Sequence, residues 1–192
     1  MAKKYEFKPD KPQMTLADRL YLTKKQRRQL LKWSLYALML LLLSVAQDVL
    51  LSRVRLFGAT TELVPVGIFL ICLAEGVENG SVFSLVASGL YLFSGTAAGY
   101  YSVVLITLLC VVVTLFRQSY LQKGFAAAML CTAFGVLVYE MTVFFLGVFL
   151  EMTTWARLTS HFLTGVYSLA FAPVLYPLVN GISTIHGNQD AT

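Results

Sequence analysis

The charged residues of this chain are concentrated at one end, and this limits what the rest can fold into. Ten of the fifteen Lys and Arg residues precede Trp33, and only five lie between Trp33 and Thr192. Charged residues make up 13% of the chain and apolar residues 57%, whereas about a quarter of the residues in an ordinary soluble domain are charged. So few charges cannot cover the surface of a water-soluble fold. The sequence therefore argues against a soluble enzyme and against a nucleic-acid-binding domain.

Apolar stretches that could cross a membrane recur along the rest of the chain. A spanning helix needs about 20 mostly apolar residues, and six candidates follow one another: 33–52, 62–75, 81–93, 99–116, 124–150 and 162–179. The second and third are short, so they either take in loop residues or form a re-entrant hairpin, which would leave four full crossings. We expect an all-α, polytopic integral membrane protein with about six transmembrane helices.

The segments between these stretches carry loop and kink signals. The segment 76–80 has the composition of a tight turn, and the polar segments 117–123 and 151–161 are expected to be loops. Pro173 and Pro177 lie one helical turn apart in the last stretch, and each removes a backbone hydrogen-bond donor. We therefore predict a kink in the last span.

The basic residues also predict the orientation of the chain. With the N-terminus in the cytoplasm and six spans, twelve Lys and Arg residues lie on the inner side and three on the outer side, as the positive-inside rule requires. The hairpin alternative gives the same distribution. Residues 1–32 then form a basic cytoplasmic tail, 33–182 the transmembrane bundle and 183–192 a short C-terminal tail. Both termini of this multi-pass cell-membrane protein are predicted to be cytoplasmic.

Part of the basic tail is expected to be helical, from Leu16 onward. Leucines alternate there with Lys and Arg, which predicts a helix that either lies on the inner leaflet or leads directly into the first span. Its cations are expected to bind anionic lipid.

Small residues recur along one face of two predicted spans. Helices in lipid pack closely where small residues meet, so we expect both faces to point into the bundle. In the first span the stripe comprises Ser34, Ala37, Leu41, Ser44, Asp48 and Ser52, and in the fifth it comprises Gly124, Ala128, Cys131, Gly135, Tyr139 and Thr142.

Two acidic residues fall inside predicted spans. Asp48 lies four residues before the outer end of the first span, and Glu140 lies about 24 Å along the fifth, at about 1.5 Å per residue. Charges at such depths usually face a cavity or a partner. We predict an outward-facing polar site that binds a partner, formed by Gln47, Asp48, Glu140, Arg53, Arg55 and Arg157. The alternative is that Asp48 reaches interfacial water and that a protonated Glu140 is hydrogen-bonded.

Catalytic and metal-binding patterns do not emerge from the sequence. Cys72, Cys110 and Cys131 lie in apolar stretches without a paired spacing, and neither His161 nor His186 is spaced with a second ligand. The motifs of serine hydrolases, nucleotide-binding loops and zinc proteases are absent. We predict no catalytic, cofactor or metal site, and we expect the chain not to be an enzyme.

The order of these features resembles a known family. The resemblance covers residues 33–182 and rests on the spacing of short segments: Leu50-Leu51-Ser52, Glu62-Leu63-Val64-Pro65, Glu75-Gly76, Gly80 and Gly89-Leu90. This pattern is similar to that of the bacterial rod shape-determining protein MreD family. There are two departures. Tyr91-Leu92-Phe93 stands where the family often has an acid, and the basic tail is longer than is common.

The resemblance implies a structural function. MreD-like proteins are membrane scaffolds of the cell-elongation machinery. They pair with the single-span, coiled-coil protein MreC and connect to the MreB filament and to peptidoglycan synthases, so no small-molecule substrate is expected. Their fold is similar to that of the substrate-binding subunits of energy-coupling-factor vitamin transporters. Such a vitamin-binding subunit is therefore the alternative function.

Overall fold

The computed structural model describes residues 24–51, 58–95, 97–121 and 124–187, and these parts are all-helical. They contain seven α-helices: α1 Lys24–Ala46, α2 Leu63–Glu75, α3 Val77–Phe93, α4 Tyr101–Tyr120, α5 Phe125–Phe149, α6 Leu158–Leu169 and α7 Ala172–Gly187. A π-helical turn, Gln47–Leu51, extends α1, and a short 3₁₀ turn, Trp155–Arg157, precedes α6. The predictions made for residues 1–23, Arg53, Arg55 and 188–192 lie outside the described residues.

Three of these helices are long and apolar enough to cross a membrane. They are Gln26–Val49, Tyr101–Tyr120 and Phe125–Phe149. A fourth candidate is the pair Trp155–Leu169 and Ala172–Thr184, if the two count as one bent span. From Lys24, the basic segment leads directly into the first candidate span as a single helix, which is one of the two arrangements expected from the sequence.

Helix α2 lies at the centre of the bundle and packs against all six of the other α-helices. Eleven of its thirteen residues, Leu63 to Leu73, are buried. A helix that is apolar on every side is stable where neighbours cover every side. Its 13 residues span about 20 Å, which is shorter than the hydrocarbon core of a bilayer.

Helix α2 runs antiparallel to α1 over most of its length. At one end Glu75 lies 2.6 Å from Lys32 Nζ, and at the other the backbone N–H of Leu63 donates to Gln47 Oε1. Helix α3 then returns alongside α2, so that Tyr91 reaches Glu62. We call the end with Lys32 and Glu75 the basic end of the bundle, and the end with Gln47 and Glu62 the far end.

Several predicted loops are helical in the structure. Only Gly76, with φ of +84°, separates α2 from α3, so the residues from Val77 to Gly80 belong to a helix and not to a turn. Helix α4 continues past Arg117 to Tyr120, and α6 begins at Leu158 inside the segment 151–161. The loop predictions were wrong there because polar residues at helix ends have the composition of a loop although they remain helical.

The predicted kink in the last span is present, but it lies before the first proline. Helices α6 and α7 meet at 46°, with Ala170 and Phe171 between them. Pro173 occupies the first turn of α7, where its missing donor is tolerated, and it leaves the carbonyl of Leu169 without its usual partner. Pro177 lies inside α7.

The two small-residue stripes face in different directions. On α5, Ala128 and Gly135 are buried, as expected, although Gly124 is exposed. On α1 the prediction was wrong, because Ser34 and Ala37 are exposed and Ser44 is only partly buried. The inward face of α1 instead carries Lys32, Tyr36 and Gln47.

Two glycines of α3 differ in how closely a neighbour approaches them. A Cβ on Gly80 would lie 3.0 Å from both the Cα and the carbonyl oxygen of Cys72, whereas nothing lies within 4 Å of a Cβ on Gly89. The Cys72 atoms belong to the backbone of α2, so they cannot rotate away.

We predict that Gly80→Ala lowers the free energy of unfolding by about 1 to 3 kcal/mol, as overpacking does. The control Gly89→Ala adds the same methyl group to the same helix and should leave stability unchanged or slightly higher. Thermal unfolding of the purified variants in detergent measures both. Equal unfolding temperatures would contradict the close approach of α2 and α3.

Candidate functional site

Gln47 holds the beginning of α2 at the far end of the bundle. Its side-chain oxygen accepts hydrogen bonds from the backbone N–H groups of Leu63, at 2.8 Å, and Val64, at 3.2 Å. Glu62, which precedes α2, makes no side-chain cap of its own. Gln47 therefore satisfies two backbone donors that a helix start leaves without a partner.

Helix α6 supports the same helix start from the other side. The backbone N–H of Glu62 donates to Ser168 Oγ at 2.8 Å, and that hydroxyl donates to the carbonyl of Thr164 at 2.7 Å. The side chain of Glu62 accepts a hydrogen bond from Tyr91 Oη at 3.1 Å. Glu62 is thus fixed by α3 and α6 together.

Glu140 approaches the same region from α5. It is 2% exposed, and its Oε2 atom lies 3.8 Å from Nδ1 of His161 on α6. Its Oε1 atom has no hydrogen-bond partner among the described residues. Gly165 permits this approach because it has no side chain. A Cβ at this position would lie 3.1 Å from Leu137 Cδ2 and 3.4 Å from Glu140 Cγ.

A polar cavity of about 410 Å³ opens at this end of the bundle. It is lined by a carboxylate, a guanidinium, an imidazole and three hydroxyl groups, so it can hold a small polar or charged group. Among the described residues, no three side chains that could ligate a metal come together. The cavity is lined by Gly58, Thr60, Glu62, Arg157, Ser160, His161 and Thr164.

The structure brings together only part of the outward-facing polar site predicted from the sequence. Gln47, Glu140 and Arg157 all lie at the far end, around Glu62 and His161. Asp48 is exposed, one residue beyond the buried Gln47.

Four residues of this region were missed by the sequence reasoning. They are Glu62, Tyr91, His161 and Ser168. Glu62 could have been recognised as an acid at the start of an otherwise apolar helix. The pairing of His161 with Glu140 could not, because 21 residues and a chain reversal separate them.

No protein-family model matches the sequence, and comparisons with curated proteins and with solved structures found no match. The three to four apolar helices that could span a membrane fit a multi-pass α-helical membrane protein.

We predict that Gln47→Met destabilises the protein by about 1 to 3 kcal/mol, because it leaves the N–H groups of Leu63 and Val64 buried without an acceptor. The matched control is Gln118→Met, the same change at an exposed position of α4. Thermal unfolding in detergent compares the two. If Gln47→Met is as stable as the control, Gln47 does not hold α2.

Proposed function

We propose that this chain is a non-enzymatic membrane scaffold of the bacterial elongation machinery, similar to the MreD family, that binds an MreC-like single-span partner. Through that partner it couples the MreB cytoskeleton and the peptidoglycan synthases, which controls cell shape. The observation that carries the proposal is the outward orientation of the small-residue face of α1. Ser34 and Ala37 on this face are exposed, although such residues in membrane helices usually mark a helix–helix contact.

An apolar groove of about 330 Å³ lies beside this face, between α1 and α3. Ala37, Leu41 and Ser44 belong to its α1 wall, and Val86 and Ala87 belong to its α3 wall. A transmembrane helix of a partner could lie close to α1 here, because Ala37 and Ser44 have short side chains. The occupant that we propose is therefore a single apolar helix of the partner.

Asp48 gives the small-residue face of α1 a polar end. It lies one helical turn beyond Ser44 and is exposed at the far end of the bundle. A partner helix in the groove would leave the membrane near this carboxylate, so the segment that follows the partner helix is expected to contact Asp48.

We further propose that the chain crosses the membrane six times, with cytoplasmic termini, and not four times with a re-entrant hairpin. Helix α2 reaches from Gln47 to Lys32, which are 15 residues apart on α1, and α3 returns alongside it. Both short helices therefore extend between the same two ends of the bundle as α1. The burial of α2 supports this, since a helix shielded from lipid does not need to match the bilayer thickness.

A vitamin-binding subunit of an energy-coupling-factor transporter is the second candidate function, and the far-end cavity favours it. That cavity is open and lined by charged and hydroxyl-bearing residues, as a site for a small polar ligand would be. In that case the exposed face of α1 would contact the coupling subunit of the transporter.

The groove can be filled without substituting a residue of the buried core. We predict that Ala37→Leu and Ser44→Leu each reduce co-purification of the MreC-like partner at least about tenfold, because the larger side chain prevents close packing of the partner helix. Insertion and thermal stability should not change. The matched control is Ala126→Leu, an exposed alanine near the start of α5, which should keep wild-type binding. Unchanged co-purification of the partner with both groove variants would contradict the proposal that the partner helix binds in this groove.

The two candidate functions are separated by what the wild-type protein retains on purification in mild detergent. The scaffold proposal expects a coiled-coil membrane partner and no small ligand, and it expects Asp48→Leu to weaken the assembly without impairing insertion. A bound vitamin, identified by mass spectrometry and lost in Arg157→Ala, would instead identify a transporter subunit.

A further inference from the structure

A second polar cavity, of about 320 Å³, lies at the basic end of the bundle. It opens where α2 ends and where the last turns of α4 pass beside it. Glu75 and Gly76 line it from the α2 side, and Thr114, Arg117 and Gln118 line it from α4. It is a separate site from the far-end cavity, because α2 extends between them.

Two residues that line this cavity each carry a buried donor atom without an acceptor. Thr114 is 2% exposed, and its Oγ1 atom has no hydrogen-bond partner in the parts of the chain that the structure describes. The same holds for the buried Nε atom of Arg117. Within the described residues, the guanidinium donates one hydrogen bond, from Nη1 to the carbonyl oxygen of Leu73 at 2.6 Å. Buried donors without acceptors are costly, so both groups indicate a ligand that accepts hydrogen bonds.

The charge of the cavity indicates that the ligand is an anion. Glu75 is the acidic residue that lines the cavity, and it is already engaged by Lys32 Nζ at 2.6 Å and by Tyr36 Oη at 2.7 Å. Arg117 forms no ion pair within the described ranges. Lys32 and Arg117 against Glu75 leave one net positive charge, and a partly buried guanidinium without a counterion is unfavourable in a membrane protein.

The position of the cavity favours a lipid as the source of this anion. Phe116 and Tyr120 flank Arg117 on α4, are exposed, and have ring centroids 5.2 Å apart. Tyrosine is enriched at the level of the headgroups. Basic pockets between helices at that level bind lipid headgroups.

We propose that this cavity binds the phosphate of an anionic phospholipid from the leaflet at the basic end of the bundle. Arg117 supplies the charge and the Nε donor, and Thr114 supplies the hydroxyl donor. The site is distinct from the lipid contacts expected for the N-terminal tail, and it does not depend on which partner binds the groove.

The test is native mass spectrometry of the full-length protein in detergent, titrated with phosphatidylglycerol or with phosphatidylcholine of the same acyl chains. We expect phosphatidylglycerol to bind more tightly. Arg117→Gln should weaken its binding about tenfold and Thr114→Val about fivefold, as the loss of hydrogen bonds to a charged group does. Arg117→Lys keeps the charge but loses Nε, and it should weaken binding less than Arg117→Gln.

The controls are Arg28→Gln, which removes an exposed charge of α1 near the same end, and Ser119→Ala, which removes an exposed hydroxyl of α4. Both should bind phosphatidylglycerol like the wild type. Size-exclusion chromatography and thermal unfolding show whether each variant is folded. If Arg117→Gln does not fold, the proposal is tested by the phosphatidylglycerol binding of Thr114→Val and Arg117→Lys.

Three results would overturn the proposal. One is equal phosphatidylglycerol binding by the wild type and by the folded Arg117 and Thr114 variants. Another is equal affinity for phosphatidylcholine, which carries the same phosphate without net charge. The third is displacement of the lipid by an equal concentration of inorganic phosphate, which would identify a soluble anion as the ligand.

Discussion

A short helix that is covered on every side determines how the rest of this protein is arranged. The buried apolar surface of α2 stabilises it only while the surrounding helices remain in place. Its free backbone groups need partners that neither lipid nor its own residues supply. Gln47 of α1 and Ser168 of α6 meet that need at the start of α2 and Arg117 of α4 meets it near the end.

Both candidate sites follow from this arrangement. Polar side chains meet backbone groups at both ends of α2. At the far end Gln47 and Ser168 accept from backbone N–H groups, and at the basic end Arg117 donates to a backbone carbonyl. A polar cavity opens beside each end, so both places where a ligand can bind lie where the buried helix stops.

The sequence predicts the composition-driven features of the fold well. The bounds of α5 agree within one residue with the predicted span, because a long apolar run ends at polar segments on both sides. The short length of α2 and the bend before α7 also follow from local composition and from proline.

Features that depend on contacts across the bundle could not be predicted. Which face of α1 turns inward was predicted wrongly because leucines surround the whole helix, so the apolar pattern has no preferred side. The decisive interactions are those of Lys32 and Tyr36 with Glu75, a residue more than thirty positions away. The hydrogen bond that Arg117, near the end of α4, donates to the carbonyl of Leu73 likewise joins residues far apart in the sequence.

The attachment of α1 to α2 at both ends has a mechanical consequence. Glu75 accepts from two residues of α1 one turn apart, and Gln47 holds the opposite end of α2. Rotating α1 about its own axis, or sliding it along α2, would break all of these contacts at once. Helix α1 is therefore fixed to α2 both in rotation and in register, and α2 in turn contacts every other α-helix of the described bundle.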